Sequence, residues 1–121
     1  MKVCCLLTGR GNNTLKDKNI IPVLGKPLIT YPALQALKVI GKRNCFVSSD
    51  DDRILNSVLD LGFNPIKRPS EISGRHARHV DAIFHGLDYI QAVGDEKVDI
   101  LVVMLANSAT VKSEWISLGI E

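Results

Sequence analysis

The sequence predicts an α/β domain, a parallel sheet with helices on both faces. Three observations carry that expectation. Strand-like and helix-like stretches alternate along the 121 residues. Ile100 to Leu105 is apolar at every position, as strands covered on both faces are. The first apolar stretch opens directly into a loop rich in glycine and cations, Thr8-Gly9-Arg10-Gly11-Asn12-Asn13-Thr14-Leu15-Lys16-Asp17-Lys18-Asn19. Strands spaced by amphipathic helices make βαβ units, and such units build parallel sheets.

Each element has its own signal. Val3 to Leu7 is the first strand, and Ile20 to Leu24 is a short extended piece interrupted by Pro22. From Leu28 to Ile40, apolar residues at Ile29, Ala33, Leu34, Leu37 and Ile40 follow the helical period, with Pro27 and Pro32 before or inside the first turn. Gly41 is the stop, and Lys42-Arg43 suit a helix C-terminus. Cys45 to Ser49 is the second strand, and Asp50-Asp51-Asp52 supply an N-cap and first-turn acids for a helix running to Gly62. Asn64 to Lys67 is a third strand and Arg68 to Arg78 a polar loop. His79 to Val93 is a helix ended by Gly94, Ile100 to Leu105 a central buried strand, and Ser113 caps a last helical turn to Leu118.

Composition narrows the function. The chain is 45% hydrophobic and 23% charged, the balance of one globular domain, residues 1–121, with a core of its own. No apolar run reaches the ~20 residues that span a bilayer, and the N-terminus reads as a strand, not a signal peptide. A cytoplasmic location is expected. Cys4, Cys5 and Cys45 show no metal spacing and read as reduced core residues. The net charge is +2, which gives generic nucleic-acid binding little support. The cations are local instead. Arg10, Lys16, Lys18 and Lys26 face one acid, Asp17, in the first zone; Lys67, Arg68, Arg75 and Arg78, with His76 and His79, face Glu71 in the second. Both zones follow strand ends, where parallel sheets bind ligands, so the expected ligand is anionic.

The spacing of the first loop discriminates among phosphate loops. A Walker loop needs G-x-x-x-x-G-K-[ST]; the sixth position from Gly9 is Thr14, and Asp17 follows Lys16. A dinucleotide loop needs a third glycine where Thr14 stands, and it should enter its helix at once. A third pattern fits best. Arg10, Lys18-Asn19 and Gly25-Lys26-Pro27-Leu28, followed by Val47-Ser48-Ser49-Asp50-Asp51, Lys67-Arg68-Pro69-Ser70-Glu71 and His85-Gly86-Leu87, stand in the order of the corresponding segments of the sugar-acid cytidylyltransferases. The chain resembles the N-terminal part of the CMP-sialic acid synthetases and their nonulosonic-acid relatives.

That resemblance implies a three-layer, Rossmann-like sheet of the nucleotide-diphospho-sugar transferase type. It implies a reaction of CTP with a keto-sugar acid that gives a CMP-sugar and pyrophosphate, with Mg2+ as cofactor and a homodimer as assembly. Arg10 and Lys18 would hold the triphosphate as the catalytic cations. Thr8, Gly9, Gly11 and Lys16 would line the same loop. Asn19 and Arg68 would recognise cytosine and ribose. Asn107 is the candidate to replace a family glutamine, and His79 is a further candidate contact. Two departures stand out: Arg75-His76-Ala77-Arg78-His79 replaces a stretch of small hydroxyls, and the family's later half, with its metal-binding aspartates, has no counterpart here. Asp50 to Asp52 read as a cap in preference to metal ligands, and no metal residue is assigned. Two alternatives remain: a nucleotide-binding module or degenerate paralogue without transfer activity, and a dinucleotide-binding oxidoreductase domain.

Overall fold

The computed structural model describes residues 2–9, 22–23, 25–69, 79–105 and 113–120. Its elements run β1 (Val3–Thr8), β2 (Pro22–Val23), β3 (Lys26–Pro27), α1 (Thr30–Val39), a 3-10 turn (Lys42–Asn44), β4 (Cys45–Ser49), α2 (Asp52–Leu59), β5 (Asn64–Lys67), α3 (His79–Gly94), β6 (Ile100–Leu105) and α4 (Ser113–Ile120). Four strands form one sheet in the order β5-β4-β1-β6. All three pairings are parallel, with Cys5 opposite Cys45 and Val102, and Ser48 opposite Ile66. The short β2 and β3 pair antiparallel across Gly25, whose φ of 84° gives the turn its left-handed residue.

The alternation of side chains along β1 divides the core in two. Cys5 and Leu7 pack with Cys45, Val47 and Met104 against Ala33 and Ala36 of α1, Ile54 and Val58 of α2, and Ile116 of α4. Cys4 and Leu6 point the other way, with Phe46 and Ile66, against Leu87 and Ile90 of α3. Helices thus cover both faces, and the molecule has the three layers expected. α3 approaches the sheet tightly at Gly86, where an added Cβ would lie 2.6 Å from a Leu6 methyl. The three cysteines are free and fully buried, as expected. A hydrogen bond with Cys45, and then burial, push the Cys5 thiol well up, so it stays protonated.

Two expectations are corrected. β6 is not central: among the described strands it lies at the edge, paired only with β1, and Val103 and Leu105 are 37% and 47% exposed. An all-apolar run reports on the two faces of a strand, not on its two edges. Lys42-Arg43 do not finish α1. That helix ends at Val39, Gly41 turns with φ 89°, and both cations belong to the separate 3-10 turn. The helix after Cys45–Ser49 ends at Leu59, before the expected Gly62, and the last helix reaches Ile120.

Gly86→Ala tests the packing of α3. Alanine favours a helix interior by about 1 kcal/mol over glycine. Here its methyl meets a fully buried Leu6 that has no room to turn aside. The expected outcome is a net loss of about 1–3 kcal/mol in chemical denaturation, the range for overpacked cores. A stabilised variant would show that α3 lifts off the sheet freely.

Candidate functional site

The chain runs outward from β1 to β4 and β5, then returns through α3 to the far side of β1 for β6. Strand order therefore reverses at β1. In parallel sheets the crevice outside the carboxyl ends at such a reversal is where ligands sit. The strand ends there are Thr8-Gly9 on β1, Ser48-Ser49 on β4, Lys67-Arg68 on β5 and Leu105 on β6.

Apolar strands turn polar at this edge, and the polar groups bind one another. The Gly9 N–H donates to the Ser48 carbonyl at 3.1 Å. The Arg68 N–H donates to the Ser49 carbonyl at 2.8 Å. The Arg68 guanidinium Nη2 donates to the Gly9 carbonyl at 2.9 Å. Thr8 Oγ1 reaches the Met104 carbonyl at 3.4 Å, tying the ends of β1 and β6. Ser49 Oγ accepts the Asp51 N–H at 3.1 Å. Ser48 Oγ and, on α3, His85 Nδ1 are buried without a hydrogen-bond partner among the described residues.

These contacts place three of the site candidates. Thr8 and Gly9 are buried at the end of β1, and Arg68 is brought to them across β4. Arg68 is only 3% exposed, so it is not a solvated surface cation. His79 is the exposed first residue of α3, and among the described residues no hydrogen bond or ion pair joins it to this cluster. Arg10, Gly11, Lys16, Lys18, Asn19 and Asn107 lie outside the described residues. Ser48 and Ser49 were missed as site residues. Their signal was present: two hydroxyls ending the otherwise apolar strand Cys45-Phe46-Val47.

The acids behave as a cap. Asp51 is the N-cap of α2 and accepts the Arg53 N–H at 2.9 Å, while the Arg53 guanidinium reaches both its oxygens at 3.3 and 3.0 Å. That guanidinium holds the Asp51 carboxyl below its ordinary value of 3.8. Asp52 pairs with Lys67 Nζ at 2.8 Å, and the same ammonium donates to the Asp50 carbonyl. Lys67 thus turns toward the start of α2 and away from the crevice. Among the described residues, no group of three or more His, Cys, Asp or Glu side chains converges to hold a metal.

The comparisons agree with this architecture. A family model described as cytidylyltransferase matches residues 10–112. A pseudaminic acid cytidylyltransferase of Campylobacter jejuni (serotype O:23/36, strain 81-176) is 33% identical over 94 residues, 76% of this chain and 40% of its own length. An N-acylneuraminate cytidylyltransferase of Streptococcus agalactiae (serotype III) is 26% identical over 118 residues, 95% of this chain and 27% of its own. Among solved structures, a CMP:2-keto-3-deoxy-manno-octonic acid synthetase complexed with CTP superposes on 98% of this chain and 45% of its own, with a TM-score of 0.76 at 19% identity. A cytidylyltransferase from Leptospira borgpetersenii gives the same TM-score at 18% identity, over 99% of this chain and 48% of its own. The chain spans less than half the length of each of these proteins.

The Asp51 cap carries a pH signature. Its carboxyl is more acidic folded than unfolded, so its contribution is complete above the unfolded value and is lost as pH falls through the folded one. Asp51→Ala is expected to cost about 1 kcal/mol at neutral pH, a typical N-cap loss. The gap between wild type and variant should close as pH falls below 3.8. Denaturation curves of both proteins across pH 2–7 (roughly the window in which a carboxyl titrates) check this. A gap independent of pH would remove the carboxylate from the account.

Proposed function

The chain belongs to the cytidylyltransferase family, and from that membership we propose that it binds CTP at the carboxyl edge of its sheet, as the nucleotide-binding half of a sugar-acid cytidylyltransferase. The single observation that carries the site is the tie between the buried Arg68 and the Gly9 carbonyl. It sets a desolvated cation beside the residue from which the glycine-rich, basic loop departs. That loop then supplies Arg10, Lys16 and Lys18 for the triphosphate. Asn19 and Asn107 belong to the same proposal as contacts to the nucleoside. The relatives' names direct the acceptor to keto-sugar acids such as pseudaminate and N-acylneuraminate.

The chemistry is a nucleotidyl transfer. The acceptor hydroxyl oxygen attacks the α-phosphorus of CTP, the bond from that phosphorus to the bridging oxygen breaks, and pyrophosphate departs as the hydroxyl proton is released. Such transfers depend on positioning and on neutralising charge at the phosphates. Arg10 and Lys18 carry that role in the proposal, holding the triphosphate oxygens while negative charge moves onto the leaving group. The Mg2+ that the resemblance implies finds no carboxylate set among the described residues. Asp51 is engaged by Arg53 and Asp52 by Lys67, so no step is routed through the metal.

A second reading has its own observation. Among the described residues no carboxylate set converges to hold a metal, which supports a nucleotide-binding module without transfer activity. The dinucleotide-binding reading is set aside, since residues 10–112 match the cytidylyltransferase model. Reduced, buried cysteines support a cytoplasmic setting for either reading, and no described helix is long and apolar enough to cross a membrane. The homodimer implied by the resemblance belongs to the proposal as well, and sedimentation of the chain tests it.

Thermal shift with CTP, UTP, ATP and GTP separates the ligands. CTP is expected to raise the midpoint selectively, since a ligand at a hundred times its Kd stabilises by about 2.7 kcal/mol. Arg10→Ala should abolish the shift. Equal shifts for all four nucleotides, or none, would sink the CTP reading. Pyrophosphate release from CTP with a panel of keto-sugar acids then decides between transferase and binding module.

A further inference from the structure

We propose that Cys5 and Cys45 form an oxidation site, a thiol pair that a hydroperoxide closes to a disulfide across β1 and β4 when the 3-10 turn before Cys45 opens. The pair lies in the core beneath the α1 face, and the nucleotide reading plays no part in it.

Three observations support it. The first is register. Cys5 and Cys45 stand directly opposite on neighbouring parallel strands, and both side chains enter the same core cluster. Strand spacing sets their Cα atoms about 4.8 Å apart, inside the range of about 4.4–6.8 Å that a disulfide spans. Cys4 packs on the opposite face of the sheet. The second is the chemistry of the pair. The two thiols are hydrogen-bonded to each other, which draws the Cys45 thiol down and pushes the Cys5 thiol well up. Cys45 is then the better nucleophile, since the thiolate is the reactive form, and Cys5 keeps its proton. On its other side the Cys5 Sγ donates to the Met104 Sδ at 3.7 Å, so Cys5 is held between two sulfurs. The third is access. Cys5 and Cys45 are fully buried, so an oxidant needs an opening. Cys45 begins β4 directly after the turn Lys42–Asn44, whose Lys42 and Arg43 are exposed. One side chain clamps that turn. Asn64 Nδ2 donates to the Lys42, Arg43 and Cys45 carbonyls at 3.2, 3.4 and 3.1 Å. The amide has only two hydrogens for these acceptors, so the clamp is shared thinly. Local opening of one exposed turn is far cheaper than global unfolding.

With hydrogen peroxide the steps balance. The Cys45 thiolate attacks one peroxide oxygen, the O–O bond breaks, and hydroxide leaves, so Cys45 becomes a sulfenic acid. The Cys5 sulfur then attacks the Cys45 sulfur and displaces a second hydroxide. The two thiol protons convert both hydroxides to water, and the two electrons lost by the sulfurs reduce the peroxide. Side chains on strands about 4.8 Å apart sit wider than the roughly 3.8 Å between Cβ atoms of a relaxed disulfide. The bond is therefore strained, and strained disulfides are readily reduced. The test treats the folded 121-residue chain with hydrogen peroxide, then unfolds it and alkylates it with iodoacetamide for mass spectrometry. The intact chain is expected to lose two hydrogens, with Cys5 joined to Cys45 and Cys4 alkylated. Millimolar glutathione should return all three thiols. Cys45→Ser should abolish the loss and Cys4→Ser should keep it, while the wild-type result stands without either variant. Asn64→Ala should speed oxidation about tenfold (a change of about 1.4 kcal/mol in the opening equilibrium). Gly41→Ala, strained at φ 89°, carries the same expectation if Asn64→Ala does not fold. A disulfide that includes Cys4, or oxygen added to Met104 or one cysteine without loss of two hydrogens, would overturn the pair. So would three untouched thiols. An unchanged rate in the folded turn variant would overturn the route through the turn.

Discussion

Strand β1 has to be satisfied on two edges and two faces at once. It pairs with β4 on one side and β6 on the other, and Cys4, Cys5, Leu6 and Leu7 are fully buried. No charged or bulky polar side chain is tolerated there, since each would be stranded without water. Both core clusters are organised by its alternation: Cys5 and Leu7 recruit α1, α2 and α4, while Cys4 and Leu6 recruit α3. Gly86 lets α3 come down onto Leu6. The position of each described α-helix is thereby referred to the stretch Cys4 to Leu7 and its neighbours.

The same constraint explains where polar chemistry begins. Inside the sheet, backbone groups are consumed by ladder hydrogen bonds. At the carboxyl edge the ladder runs out, and Thr8, Gly9, Ser48, Ser49 and Arg68 take over its accounting. Small hydroxyls and a glycine fit between helices where larger side chains would not. The site is in this sense the termination of the sheet. Its residues close the strand ends.

Strand positions were legible in the sequence because apolar runs with polar bounds report burial directly; Cys45–Ser49, Asn64–Lys67 and Ile100–Leu105 have the bounds expected. The Asp51 cap was legible for a similar reason, as an acid beside a periodic run has a local cause. Edge position was not. Ile100–Leu105 shares its composition with covered strands, and pairing depends on partners remote in sequence. The fate of Lys42-Arg43 turned on Gly41, whose positive φ ends one helix and begins a different turn. In the site, Gly9 was legible from spacing, whereas the setting of Arg68 was not. Burial of a cation follows from what crosses over it, and Gly9 lies 59 positions away in the chain. Lys67 shows the converse: adjacent to Arg68 in sequence, it faces Asp52 and α2 because neighbours on a strand alternate in direction.

That contrast bears on how a protein with a net charge of +2 concentrates attraction at one edge. Lys67 and Asp52 form an exposed pair, in which water and salt damp the field. Arg68 is excluded from solvent, so water screens its hydrogen bond to Gly9 far less. Both cations add one to the formal charge, but water and the paired acid damp the exposed one. The Gly9 carbonyl dipole, with its negative end turned to the guanidinium, is oriented by that field and stabilises it in return. The hydrogen bond from Arg68 to Gly9 thus ties a cation shielded from solvent to the end of β1, while Lys67, one residue earlier, pairs with Asp52 at the surface.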